Sequence, residues 1–77
     1  MDRAKTLPMR LSARNQLAGT IVAIDDGAVT TTLKVRLEGG ATMTSSITKE
    51  AADELGLEVG KPVLAVVKAS DVMIAVE

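Results

Sequence analysis

Three groups of polar residues have the types and spacing to hold a small anion: Ser12, Arg14 and Asn15 near the start, the run from Thr44 to Thr48, and Lys68 with Ser70. A tetrahedral dianion presents only acceptors, so a selective site needs hydroxyls, N–H groups and a few positive charges. Together the three groups supply that mixture. Thr48 also opens a segment that reads as a helix, whose first turn leaves backbone N–H groups at the positive end of its dipole. Each group has a plainer role when taken alone: Thr48 as a cap, Ser45 and Ser46 as the solvated face of a strand, Lys68 as an exposed strand end. Catalysis has little to work with. The chain contains no His and no Cys, which removes the usual general bases, nucleophiles and conventional zinc ligands. Asp25 and Asp26 precede Gly27 and read as turn chemistry rather than an acid/base or metal pair. The sequence therefore predicts a binding protein and not an enzyme.

The elements that must position these groups follow from the apolar pattern. Residues 17–25 read as a strand, ended by a turn at Asp26 and Gly27. Residues 29–37 alternate, with Val29, Leu33, Val35 and Leu37 on one face and Thr30, Thr32, Lys34 and Arg36 on the other, which is the period of a half-buried strand. Gly39 and Gly40 turn the chain into a third strand at 41–47, with Met43 and Ile47 inward. The period then changes. Residues 48–56 predict one short helix with Thr48 as N-cap, Glu50 in the first turn, Gly56 as the left-handed stop, and Ala51, Ala52 and Leu55 on the packed face. Residues 62–68 and 72–76 predict two more strands, with Pro62 tolerated at the start of the first. The expected fold is all-β, a small five-stranded barrel of the OB type with one short helix between strands 3 and 4, the alternative being a flat meander with the helix on one face. Residues 1–10 form a lead and residues 11–77 the domain.

A chain of 77 residues makes one domain that hides only roughly 60% of the surface its unfolded form exposes. Its core is marginal, and without cysteines oligomerisation is the staple that remains. The apolar share is 47% with no Phe, Tyr or Trp, and the runs at 62–67 and 72–76 are apolar on both faces. A strand of that kind calls for cover on both sides, so a partner is expected to cover the outside. Net charge is −1, which gives no reason to bind nucleic acid. Charge is uneven, +3 over residues 1–16 and −4 over the rest. No apolar stretch approaches the length of a membrane span and no secretory signal is visible, so a soluble, cytoplasmic protein is expected.

The same segments match a known family as a set. SARNQLAG (residues 12–19), TSSITK (44–49), ELGL (54–57), VGK (59–61) and AVVKASDVMIAV (65–76) resemble the Mop or molbindin domain, a molybdate-binding family of TOBE-like OB fold, over residues 11–77. The resemblance implies a homo-oligomer, built from a dimer unit and extending to a hexamer as a trimer of dimers, with oxyanion sites between subunits. In the family the opening Ser and Arg meet, from a neighbouring subunit, the helix-start Thr and the Lys-containing segment after strand four. Here those positions are Ser12, Arg14, Thr48, Lys68 and Ser70, with Asn15, Lys49, Ala51 and Ala69 beside them in the oxyanion-binding set. Ala51 stands where some relatives place a serine, so it offers only its backbone N–H. The implied ligand is molybdate or tungstate, with molybdenum held as the oxyanion, no direct metal ligand and no further cofactor. Storage or homeostasis is the expected role, and the start at Met1 suits an independent protein. The alternative is a regulatory or assembly module of a molybdate transporter or molybdate-responsive regulator. A nucleic-acid-binding OB module is a third reading, opposed by the lack of aromatic side chains on which bases stack.

Overall fold

Alternation decides the first hairpin. In the computed structural model, which describes residues 14–77, β1 (Asn15–Asp26) and β2 (Thr30–Leu37) pair antiparallel, with Ile21 opposite Val35 and Ile24 opposite Leu33. The inward residues Ile21, Leu33 and Val35 are buried, while Lys34 and Arg36 on the other face are exposed. The register slips between Ile21 and Ala23, leaving Val22 as the extra residue of a bulge that bends β1. Ile21 beside it anchors the turn that leads into the last strand: its N–H donates to Lys61 O at 3.1 Å and its carbonyl accepts from Gly60 N–H at 2.7 Å.

β3 (Thr42–Thr48) pairs antiparallel with β2, and β4 (Pro62–Val67) with the early half of β1. The order is β3-β2-β1-β4, a curled antiparallel sheet that makes half a barrel. Gly19 sits where β1 is flanked on both sides. It stands opposite both Leu37 and Val63, and a Cβ there would lie 2.7 Å from Arg36 O and 2.7 Å from Val35 Cγ1.

The helix α1 (Lys49–Leu55) starts and stops where the sequence says it should. Gly56 takes the left-handed conformation at φ 63° and ψ 41°. Its N–H donates to Asp53 O at 3.1 Å, and Leu57 N–H donates to Ala52 O at 3.3 Å, the paired bonds that close a helix on glycine. Lys61 Nζ donates to Leu55 O and Gly56 O, each at 3.1 Å, placing a positive charge at the negative end of the helix.

Three expectations are corrected. Val29 is 73% exposed and lies outside β2, whereas Thr31 is wholly buried on the inward face. Thr31 is tolerated there because its hydroxyl donates to Asp26 Oδ1 at 2.9 Å, so the buried polar atom has a partner. Leu55 is 60% exposed, and of the expected helix face only Ala52 is buried. Among the described residues there are four strands, not five. Residues 72–76 follow a 3-10 turn at Ala69–Asp71 and extend away unpaired, with Met73 92%, Ile74 84% and Val76 89% exposed. The cause lies in the sheet: a strand needs an edge, and this run is paired with neither β3 nor β4, the two edges of its own half-barrel.

Candidate functional site

The antiparallel register sorts the polar residues into two groups. Asn15, half-buried at the start of β1, is opposite Val67 at the end of β4, so Arg14 and Lys68 are the next residues outward on the two strands. Both are exposed. The 3-10 turn that carries Ala69 and Ser70 follows directly, closed by Asp71 N–H to Lys68 O at 2.9 Å and Val72 N–H to Ala69 O at 3.2 Å. Arg14, Asn15, Lys68, Ala69 and Ser70 therefore share one end of the sheet. Two cations at the ends of neighbouring strands repel one another, and an anion between them offsets that repulsion. Ser12 lies outside the described residues.

The second group is at the other end. Thr48 closes β3 opposite Thr30, beyond the far end of β1, and β1 spans roughly 36 Å at about 3.3 Å per residue. Thr48 Oγ1 accepts the N–H of Ala51 at 3.1 Å. Lys49 N–H donates to Val29 O at 2.8 Å, so two of the first N–H groups of α1 are already engaged. Thr48 keeps its own hydroxyl proton for a ligand, because that oxygen acts here as acceptor. Lys68 and Ser70 thus lie at the end of the sheet where Arg14 is, and Thr48 at the other, within one chain.

The rest of the run 44–48 does not converge. Thr44 and Ser46 are exposed on the outer face, where Thr44 Oγ1 accepts from Lys34 Nζ at 3.1 Å, while Ser45 points into the concave side. That side holds a groove of about 270 Å³ between β3 and β4, lined by residues such as Val35, Met43, Ile47, Val63 and Val67. Its lining is mostly apolar; of the polar residues singled out in the sequence it includes only Thr44 and Ser45, and none of Arg14, Asn15, Thr48, Lys68 and Ser70. Among the described residues no cluster of His, Cys, Asp and Glu could hold a metal ion, and no helix is long and apolar enough to cross a membrane. Sequence reasoning missed the Thr31–Asp26 bond and the role of Lys61. The spacing of Lys61 from Gly56, one turn beyond a helix stop, was the available signal for the second.

Half-barrel, short capped helix and two separated sets of anion donors define a small OB-like binding domain. A TOBE domain model matches residues 11–74. The chain is 44% identical over 69 residues to a probable molybdenum-pterin-binding protein of Haemophilus influenzae, covering 90% of this chain and 100% of that one. It superposes on MopII from Clostridium pasteurianum, in an apo form, with a TM-score of 0.82 at 42% identity, covering 86% of this chain and 98% of MopII. ModG, a cytoplasmic molybdate-binding protein solved with molybdate bound, superposes with a TM-score of 0.82 at 50% identity, and the match covers 86% of this chain and 47% of ModG. The chain belongs to the TOBE-domain family, as a molbindin (Mop) domain.

Proposed function

We propose that this protein binds molybdate or tungstate, without catalysis, at sites formed where copies of the chain meet. The observation that carries the reading is the separation of the donors. Arg14, Asn15, Lys68, Ala69 and Ser70 lie at one end of the sheet and Thr48, Lys49 and Ala51 at the other, so a site using both groups needs two chains. The first group, with Ser12, supplies the charge; the helix start of a neighbour supplies the Thr48 hydroxyl and N–H donors. The molybdate bound to ModG and the molybdenum-pterin binding for which the H. influenzae relative is named support the choice of ligand.

Assembly has its own support. β3 and β4 are open edges with an apolar groove between them, and open edges recruit strands. Residues 72–76 are an apolar run about 17 Å long when extended, comparable to β4. In the proposed oligomer this run of one copy fills the groove of another and supplies the fifth strand, giving a dimer unit from which a hexamer can be built.

The proposed role is storage or homeostasis of the oxyanion in the cytoplasm, where ModG is described. A second reading, one module of a larger molybdate-handling protein, is favoured by the match to 47% of ModG. Native mass spectrometry with and without molybdate, paired with calorimetry, tests the proposal. The expected result is an oligomer that takes up whole numbers of anions. A monomer, or an oligomer that binds neither anion at millimolar concentration, refutes it.

A further inference from the structure

The four residues that join β4 to the unpaired run, 68–71, are a short link with two possible outcomes. Hairpin loops of two to five residues are common, so the link is long enough for 72–76 to fold back beside β4 into its own groove. In the structure it does the opposite. The two bonds of the 3-10 turn, Asp71 N–H to Lys68 O and Val72 N–H to Ala69 O, send the run outward with its side chains exposed. Closed and exchanged forms fill the same kind of groove with the same strand, so their strand contacts nearly cancel. The balance between them is left to the link and to whatever it touches.

Three of the four link residues are Lys68, Ala69 and Ser70, to which the oxyanion reading assigns a share of the ligand. We propose that the 68–71 turn is a hinge through which a bound oxyanion holds the C-terminal strand in its exchanged position. The inference rests on that oxyanion reading. A ligand shifts a conformational equilibrium only by binding its two states unequally. An anion held by the Lys68 ammonium and the turn's hydroxyl and N–H groups meets that condition, because folding the run back would rebuild the turn. Occupancy then does more than add contacts between subunits: it fixes the exit direction of the strand and so the rate at which subunits part.

The test is subunit exchange. Unlabelled and ¹⁵N-labelled full-length protein are mixed with and without molybdate, and mixed oligomers are followed by native mass spectrometry while calorimetry reports binding. Molybdate is expected to slow mixing at least about tenfold, within the usual range of coupling between two equilibria. Inserting Gly-Gly between Asp71 and Val72 leaves the proposed donors and the strand in place but uncouples them. That variant should still bind molybdate yet lose the slowing, or become a folded monomer closed on its own groove. If the insertion prevents folding, Asp71→Gly loosens the same turn without lengthening it and should cut the slowing below about threefold. An insertion variant slowed as much as the parent overturns the hinge, as does bound molybdate that leaves mixing of the parent unchanged, and in both cases the binding reading stands. A chain that calorimetry finds binding no molybdate overturns both.

Discussion

The Thr48 hydroxyl accepts the backbone N–H of Ala51 at 3.1 Å, so one oxygen serves as helix cap and, in the proposed site, as donor to the ligand. Thr48→Ala removes both roles. Loss of an N-cap costs about 1 kcal/mol, which for a domain of this size lowers Tm by roughly 4–8 °C. Thr48→Asp separates the roles: it caps equally well but sets a carboxylate against the anion. Calorimetry should find Asp folded at near-parental Tm and unable to bind molybdate. An Asp variant that binds like the parent would remove Thr48 from the site.

Arg14 and Lys68 are exposed and adjacent in register at the Asn15–Val67 end of the sheet, so neither contributes packing. Hydrogen bonds to charged groups are worth roughly 1.5–3 kcal/mol. Arg14→Ala or Lys68→Ala should therefore weaken molybdate binding about ten- to a hundredfold, while circular dichroism and Tm of the unliganded protein stay unchanged. If affinity for molybdate is unaltered by either change, the site lies elsewhere.

How much of this was legible depends on where the information resides. Leu33 and Val35 on the inner face of β2 and both helix caps are local, written in the alternation at 29–37 and in Thr48 and Gly56, and they read correctly from the sequence. Leu55 and Val29 read as core because periodicity records apolarity and not what lies opposite. The bulge at Val22 shifts the faces of β1 by one residue with no Gly or Pro to announce it. The fifth strand was misread for a different reason: the apolar run at 72–76 is real, but pairing is a property of the edge it meets. The donors of the candidate site were visible as residue types. Their separation to opposite ends of β1 depends on strand register, which no single segment carries.

Gly19 tests the curl. Its missing side chain leaves room for β2, and an added Cβ would sit 2.7 Å from both Arg36 O and Val35 Cγ1. One of these is backbone and cannot swing aside. Gly19→Ala should destabilise the fold by about 1–3 kcal/mol, as overpacking commonly does, seen as a lower urea midpoint. Gly27→Ala, with Thr30 O at 2.8 Å, should behave similarly but in an exposed turn that can relax, so its effect should be smaller. Equal midpoints for Gly19→Ala and the parent would mean that β2 can shift from β1 at this point without penalty.

Ile74 tests what covers the apolar run. At 84% exposed, its side chain contributes almost nothing to the stability of a single chain, so Ile74→Lys should leave the four-stranded sheet and its circular dichroism intact. In the proposed assembly the same side chain enters a neighbour's strand position beside an apolar groove. Burying an unpaired ammonium there costs several kcal/mol, enough at about 1.4 kcal/mol per tenfold to weaken association by a factor on the order of a thousand. Sedimentation at micromolar concentration should then find monomer for Ile74→Lys and oligomer for the parent. Ile74→Val, which keeps the shape and the apolar surface, should assemble like the parent. The variant monomer should also bind molybdate poorly, because Arg14 and Lys68 of one chain would no longer meet Thr48 of another. An Ile74→Lys protein that assembles as the parent does would show that residues 72–76 stay outside the interface, and the groove between β3 and β4 would need a different occupant.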